Sequence, residues 1–182
     1  MTPTFITARL ILQPLTLDDA PTAQLLFPHW EIVRYLAAQV PWPYPPDGVL
    51  TYYRDHVLPA MQREEEWHWS LRLKSDPMQM IGSIALVAHG ENNRGFWIGQ
   101  PWQRQGYITE ACEPVTDFWF NTLGKPILRV PKAIANIASR RISEKQNMHL
   151  VRVEDKDYVS GRLPSELWEL TAEDWRKRNS SS

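Results

Sequence analysis

The residues with the clearest chemical potential lie in the stretch 93–108, NRGFWIGQPWQRQGYI. It reads as an aromatic strand, a Pro-Trp turn, polar residues around Gly106, and the start of a helical pattern. A helix that starts behind a glycine-containing loop can bind an anion, because its first N–H groups lack helical partners and its dipole favours negative charge. Gly106 would let the backbone approach a phosphate closely. The pattern indicates a phosphate-bearing cofactor, although an ordinary helix-entry turn would explain one glycine equally well.

Other kinds of site find less support in the sequence. The loop contains neither the GxxxxGK[ST] pattern of a P-loop nor the GxGxxG pattern of a dinucleotide fold. The five histidines show no metal-binding spacing such as HxxxH, so we expect no metal. The single cysteine, Cys112, lies on an apolar stripe without an adjacent histidine, which favours an inert buried thiol over a thiol enzyme.

Composition limits the class of protein. The chain has 182 residues, of which 43% are hydrophobic, and a net charge of -1. We expect one globular domain over residues 1–178 and a disordered tail at 179–182. Without a basic excess or a long apolar run, no nucleic-acid or membrane partner is expected. One cysteine and no recognisable signal peptide favour a cytoplasmic location.

Hydrophobic periodicity predicts the elements that position this loop. Alternating residues predict seven strands, at 8–15, 66–74, 80–89, 94–99, 126–133, 148–155 and 166–174. Helical spacing predicts five helices, at 16–27, 31–37, 48–66, 107–123 and 136–146. This order predicts an α/β (α+β) domain with one mixed, mostly antiparallel central sheet flanked by helices.

Several motifs together resemble the GNAT acyltransferase superfamily, in particular its RimJ/RimL-like branch. They are FWIGQPWQRQGYITEA and NIASRRISEK, with TARLILQPLTLDDA near the N-terminus and MIGSIAL before the aromatic strand. None is specific alone, but together they extend from about Thr7 to Trp175. The resemblance implies a single GNAT-type domain, which agrees with the predicted order of elements.

The resemblance also implies a binding site for coenzyme A. The loop that holds its pyrophosphate would comprise Gln103, Arg104, Gln105, Gly106, Tyr107 and Ile108. The strand that pairs with its pantetheine arm would comprise Phe96, Trp97, Ile98 and Gly99. Asn136 and Ser139 match the N-x-x-S pair of the next helix, and Ser139 would be the catalytic residue that hydrogen-bonds the departing thiolate.

The implied activity is transfer of an acetyl group from acetyl-CoA to a primary amine, by direct attack in a ternary complex. The amine could be a protein N-terminal α-amine or a small molecule, and the protein a monomer or homodimer. Trp42 and Tyr44 are candidates for the acceptor pocket, unless they only cover the sheet edge. The general base is open between Glu110, which would also suit the helix dipole, and His68, which would face solvent or a cleft.

Several positions depart from the family pattern, and three of them bear on the predicted site. Ile108 stands where Gly or Ala is usual and could narrow the approach to the pyrophosphate unless its side chain turns inward. Pro114 lies inside a predicted helix and should kink it. Ser143 stands where many GNAT enzymes carry a tyrosine general acid. These departures leave open a non-catalytic protein that binds or senses acyl-CoA, as the alternative to an enzyme.

Overall fold

The computed structural model of the protein describes residues 1–180, except for the side chain of Asn179. The described residues form eight strands: β1 (Phe5–Ile6), β2 (Leu10–Pro14), β3 (Glu66–Leu73), β4 (Asp76–Val87), β5 (Arg94–Ile98), β6 (Ile127–Ala133), β7 (His149–Tyr158) and β8 (Gly161–Thr171). The α-helices are α1 (Ala20–Leu26), α2 (Trp30–Val33), α3 (Gly48–Tyr52), α4 (Leu58–Gln62), α5 (Tyr107–Asp117), α6 (Ile137–Lys145) and α7 (Ala172–Ser180). Every helix predicted from the sequence has a counterpart.

The strands form two antiparallel sheets, with orders β1-β2-β3-β4-β5 and β6-β8-β7. The predicted fold class, an α/β (α+β) domain with mostly antiparallel strands flanked by helices, is confirmed. The prediction of one mixed sheet was wrong in detail, because β5 and β6 are hydrogen-bonded only at one end. There Asn93 N–H donates to the Arg129 carbonyl and Arg129 N–H donates to Asn93 Oδ1, both at 2.8 Å. After Asn93, no backbone hydrogen bonds join β5 to β6 within residues 1–180.

Buried side chains cover both faces of the first sheet. The larger core lies on the face that packs against α5, where Ile108, Ala111, Cys112 and Val115 meet the strands. A smaller core lies on the opposite face, beneath α1 and α3. Side chains alternate along a strand. In β5, Phe96 and Ile98 therefore pack against the larger core, whereas Trp97 packs against the smaller one.

Most predicted boundaries shift in the structure, and three of the shifts change how an element ends or continues. The helix predicted at 48–66 is α3 and α4 joined by a π-helical turn, Tyr53–Val57. The helix predicted at 107–123 continues through Pro114 to the end of α5, and a second π-helical turn, Phe118–Thr122, follows it. The last strand ends at Thr171, before its predicted end at 174, because the Thr171 hydroxyl accepts a hydrogen bond from Asp174 N–H (3.1 Å) at the start of α7.

The C-terminal segment extends the fold beyond the predicted elements. In α7, Trp175 is buried and its ring centroid lies 6.2 Å from that of Phe120. The backbone of residues 179 and 180 belongs to α7, whereas the rest of the predicted tail, 181–182, lies outside the described residues. None of the helices within 1–180 is long and apolar enough to cross a membrane.

Candidate functional site

The free edge of β5 presents two backbone positions to the opening between the sheets. Gly99 N–H donates to the Ile81 carbonyl (2.8 Å), so Gly99 faces the neighbouring strand β4. In an antiparallel pair the direction of the backbone groups alternates, and the N–H and C=O groups of Phe96 and Ile98 therefore point away from β4. The Ile98 carbonyl accepts a hydrogen bond from Gln103 Nε2 (3.2 Å). Within residues 1–180 the Phe96 N–H and C=O groups have no hydrogen-bond partner, so they can pair with an extended ligand.

The loop after β5 ends in a left-handed turn at the start of α5. Gly106 has a φ of 81°, which strains any residue with a β carbon, and Arg104 also has a positive φ of 62°. The first helical hydrogen bond runs from Glu110 N–H to the Gly106 carbonyl (3.0 Å). Among the described residues, the N–H groups of residues 105 to 109 have no hydrogen-bond partner. This cluster of donors at a helix N-terminus can bind an anion.

An ion pair fixes the position of that turn. Arg9 Nε donates to Glu110 Oε2 (2.7 Å), and Arg9 Nη1 donates to the Gln105 carbonyl (2.9 Å). The Arg9 guanidinium also lies 4.4 Å from the ring centroid of Tyr107. Glu110 Oε1 accepts hydrogen bonds from the Thr7 hydroxyl (2.6 Å) and from Arg9 N–H (2.7 Å). Burial raises the pKa of Glu110, but these hydrogen bonds outweigh it and the net pKa is lowered. Glu110 is thus an anchor for the loop, and a carboxylate so engaged is a poor general base.

Ile108 does not narrow the approach to the helix start. Its side chain is buried in the larger core, so only its backbone remains at the turn. The Arg104 and Gln105 side chains are exposed, and Gln105 Nε2 returns to the Pro101 carbonyl (3.0 Å). The residues predicted for a pyrophosphate loop are therefore brought together in one turn, in which the Gln103 N–H donates to the Gln100 carbonyl (3.3 Å) and residues 105 to 109 provide the unpaired donors.

Asn136 and Ser139 lie at the start of α6, across the opening from β5. Asn136 is the N-cap residue, and its Oδ1 accepts a hydrogen bond from Ser139 N–H (3.4 Å). The two residues are thus joined by a capping contact at the start of the helix. The Ser139 hydroxyl accepts a hydrogen bond from Lys132 Nζ (2.8 Å), and Lys132 Nζ also donates to the Ser139 carbonyl (2.6 Å).

Lys132 is a site residue that the sequence analysis missed. It lies in β6 with 5% of its surface exposed, and its ammonium stands 5.2 Å from the ring centroid of Phe96. Burial, and then the charge of Arg94, lower the pKa of Lys132 to about 7. The sequence does contain a signal for this position. Leu128, Val130 and Lys132 occupy every second place in one strand and so point to the same face, where Leu128 and Val130 are buried.

A second buried cation lies beside Lys132. Arg94 is 3% exposed, and its Nη1 donates to Thr116 Oγ1 and to Gln146 Oε1, both at 2.7 Å. Its Nε and Nη2 atoms are buried without a hydrogen-bond partner in the described part of the chain. The Ser143 hydroxyl is also buried and without a partner. Ser143 therefore packs inside the domain and does not stand in for a tyrosine acid.

An aromatic wall lies on the opposite face of β5. The Phe27 ring centroid is 5.2 Å from that of Tyr44 and 5.5 Å from that of Trp97, so these rings connect the loop before α3 with β5. Burial raises the pKa of Tyr44. Trp42 lies against Trp30 at 5.5 Å and is 42% exposed. Of the two predicted pocket residues, Tyr44 is thus linked to the sheet face beside the opening, and Trp42 packs on α2.

The same face carries a carboxylate shared by two histidines. Glu66 Oε2 lies 2.6 Å from His68 Nε2, and Glu66 Oε1 lies 3.0 Å from His56 Nε2. Burial raises the pKa of Glu66, but the contacts with His68 and His56 outweigh it and the net pKa is lowered. His68 is buried, so of the two expected positions, facing solvent or facing a cleft, the structure rules out the first. On this face His68 lies opposite Ala85 of β4, and Ala85 lies opposite Gly95 of β5. A β carbon added at Gly95 would have no atom within 4 Å, so the space over Gly95 is open.

The remaining candidate groups offer little chemistry. Cys112 is fully buried in the larger core, and burial raises the pKa of its thiol, so it is not a nucleophile. No group of three or more His, Cys, Asp or Glu side chains within residues 1–180 could hold a metal ion.

The free edge of β5 lies beside the unpaired N–H groups at the start of α5. Together they define a site for an extended ligand that carries phosphate. The family model described as "Acetyltransferase (GNAT) domain" matches residues 9–149, which include both features. The chain therefore belongs to the GNAT acetyltransferase family, and it is an acetyl-CoA-dependent N-acetyltransferase.

Similar solved structures extend over nearly the whole chain. RimL, a ribosomal L7/L12 α-N-protein acetyltransferase in complex with coenzyme A, has a TM-score of 0.79 at 12% identity, covering 93% of this chain and 98% of that one. The ribosomal-protein-S5-alanine acetyltransferase from Vibrio fischeri has a TM-score of 0.80 at 12% identity, covering 95% and 98%. An acetyltransferase from Agrobacterium tumefaciens has a TM-score of 0.74 at 21% identity, covering 93% and 95%. At these identities the likeness to solved structures shows the fold. A comparison with curated proteins finds no match.

Proposed function

We propose that the protein transfers an acetyl group from acetyl-CoA to a primary amine, a protein N-terminal α-amine or a small-molecule amine, by direct attack in a ternary complex. The observation that carries this proposal is the row of unpaired N–H groups from residues 105 to 109 beside the free edge of β5. Two structural neighbours are named as acetyltransferases of ribosomal proteins, which supports a protein N-terminus as the first acceptor to test.

The loop and strand have complementary tasks in this proposal. Acetyl-CoA supplies an activated thioester when bound. The backbone donors around Gly106 hold its diphosphate, assisted by the exposed Arg104 guanidinium. The Phe96 N–H and C=O groups pair with the pantetheine arm as an added strand would. Because these contacts use backbone groups, the replacement of Gly or Ala by the inward-facing Ile108 leaves them intact.

The acceptor amine would enter over the face that carries Tyr44 and Trp97. An ammonium must lose a proton before its nitrogen can attack, so this face needs a base. We assign that role to His68, held by Glu66. Gly95 lies two strand spacings from His68, or about 10 Å. The proton would therefore pass through water over the open space at Gly95.

The proposal is tested first by ligand binding and then by transfer. Thermal unfolding with acetyl-CoA, ATP and NAD comes first, because a ligand at 100 times its Kd should stabilise the protein by about 2.7 kcal/mol. A shift with acetyl-CoA alone supports the site. Peptides with free N-termini are then compared with the same peptides N-terminally blocked and with small amines, and acetylation is followed by mass spectrometry. Binding without transfer to any amine would reject the enzyme mechanism in favour of an acyl-CoA-binding protein.

The partners, the cellular location and the oligomeric state are predicted from general properties of the chain. A net charge of -1 offers no general attraction for nucleic acid, and the single buried cysteine suits a reducing cytoplasm. Monomer and homodimer are both compatible with this site, and sedimentation would distinguish them.

A further inference from the structure

The Lys132 ammonium is arranged to act on the hydroxyl of Ser139. It lies in β6 between the Phe96 ring of β5 and the first turn of α6. Two of its three N–H donors are used by the carbonyl and the hydroxyl of Ser139. Because Oγ accepts from Lys132, the Ser139 O–H is left to donate elsewhere. Ser139 is partly exposed at the opening between the sheets, where such a donor can meet a ligand.

The charges around Lys132 are unbalanced. From β5 it faces Arg94, which is also buried, and from α5 it faces the neutral thiol of Cys112. From β8 its cross-strand neighbour is Glu166, but both Glu166 oxygens accept hydrogen bonds from Arg140 of α6 (2.7 and 3.1 Å). In the described residues, neither Lys132 nor Arg94 forms an ion pair with a carboxylate. Two cations without an anion favour a negative charge that develops between β5 and α6.

We propose that Lys132 is a positioning residue that supplies a proton, through the Ser139 hydroxyl, to the thiol that leaves when the acyl group is transferred. This inference rests on the proposed function. It identifies a source for the proton that relatives obtain from a tyrosine and that the buried, unpartnered Ser143 cannot provide.

The proton transfer balances as follows. The amine nitrogen forms a bond to the acyl carbon, the carbon–sulfur bond breaks, and its electron pair passes to sulfur. Ser139 Oγ gives its proton to sulfur, and Lys132 Nζ replaces that proton on Oγ. Lys132 is left as a neutral amine and regains a proton from solvent, which has received the proton lost by the acceptor amine. No oxidant, reductant or further reactant is needed.

The acid–base properties of Lys132 suit this task. Burial and Arg94 bring its pKa to about 7, so the ammonium releases a proton far more readily than an exposed lysine. In the protein without ligand, Lys132 is mostly protonated below about pH 7 and mostly neutral above it. The relay should therefore weaken as the pH rises, whereas deprotonation of the acceptor amine becomes easier.

The principal test compares Lys132→Met, Lys132→Arg and the exposed-lysine control Lys74→Met. We expect Lys132→Met to lower kcat about 100-fold, with an unchanged acetyl-CoA Kd by calorimetry, and to remove the alkaline decline of kcat. Lys132→Arg keeps the charge but cannot release a proton near neutral pH, so we expect a smaller loss and no alkaline decline. An unchanged pH profile in Lys132→Met, or an effect on Kd alone, would overturn the inference.

A second readout does not depend on turnover. The ionisation of bound coenzyme A is followed by the ultraviolet absorbance of its thiolate, and we expect its thiol pKa to be at least about one unit lower in the wild type than in Lys132→Met. If Lys132→Met does not fold, NMR of isotopically labelled lysine in the wild type replaces this comparison. Coenzyme A should then raise the pKa of Lys132, and desulfo-coenzyme A should not. Equal effects of both ligands would refute the relay.

The outcomes separate the inference from the function on which it rests. A wild-type protein that binds acetyl-CoA and acetylates an amine, with an unaffected Lys132→Met, overturns the relay alone. A wild-type protein that neither binds acetyl-CoA nor acetylates any amine overturns the proposed function, and the relay with it.

Discussion

Arg9, just before β2, forms a 2.7 Å ion pair with Glu110 in the first turn of α5, 101 residues further along the chain. The same guanidinium reaches the Gln105 carbonyl (2.9 Å), so one side chain connects the N-terminal segment to the turn that carries the free amides. The shape of the anion site therefore depends on a residue outside the loop.

We expect Arg9→Met to weaken acetyl-CoA binding more than it weakens the fold. The Arg9 side chain is 47% exposed, so its ion pair should contribute about 1 kcal/mol or less to stability. Because the pKa of Glu110 is lowered, that contribution is present above its unfolded pKa and is lost as pH falls through the folded value. Calorimetry would compare Arg9→Met with Arg162→Met, which breaks an exposed ion pair with Asp157. Equal acetyl-CoA affinity in both variants would contradict this role.

Gly106→Ala should reduce acetyl-CoA affinity through the backbone. A β carbon at a φ of 81° costs roughly 1–2 kcal/mol, and relief of this strain would rotate the free N–H groups. Gly90, with a φ of 78° and no atom within 4 Å of an added β carbon, provides a matched control. Both alanine variants should lose similar stability in chemical unfolding, but only Gly106→Ala should raise the Kd for acetyl-CoA. Parallel losses of affinity would remove the anion-site assignment.

Ser139→Ala should lower kcat more than it changes KM, because its hydroxyl is assigned to the departing thiol. Ser143 is the control, since it lies one turn further along α6 with a buried hydroxyl that has no partner. Removing that hydroxyl should leave kcat unchanged and stabilise the protein slightly, because no hydrogen bond is lost. Steady-state kinetics of both variants would decide. A pure KM effect at Ser139 would make it a binding residue.

The sequence predicts the parts of this site that local chemistry determines. Gly106 and the polar residues before it mark a helix start wherever they occur, and alternation in β5 places Phe96 and Trp97 on opposite faces. It does not predict which chain segments lie side by side. The partners of Lys132 come from β5 and α6, and Arg9 reaches Glu110 across 101 residues. The point at which the sheets separate also escapes a local pattern, because Asn93 and Arg129, the last hydrogen-bonded pair between them, are 36 residues apart in the chain.

His68→Gln should lower kcat without changing the acetyl-CoA Kd, if His68 accepts the amine proton. We expect a loss of about 100-fold, the lower end for removal of a general base. His149→Gln is the control, because His149 lies on the exposed strand β7. The loss should shrink for an acceptor amine of low pKa, which needs less help with deprotonation. A loss that is equal for amines of all pKa values would assign His68 a structural role.

The fold should be more stable without the Lys132 charge. The folded pKa of about 7 lies below the ordinary value of 10.5, so the unfolded chain binds more protons between these values. The resulting penalty on the native state is full below about pH 7 and fades as pH rises towards 10.5. Lys132→Met should therefore stabilise the protein at neutral pH, by at most about 5 kcal/mol at roughly 1.4 kcal/mol per unit of pKa, with a gain that diminishes in alkaline buffer. Urea unfolding at several pH values would measure it, with Lys74→Met as control. A gain in stability combined with a loss of kcat would show that this buried cation is retained at a cost to the fold, which a purely structural lysine would not explain.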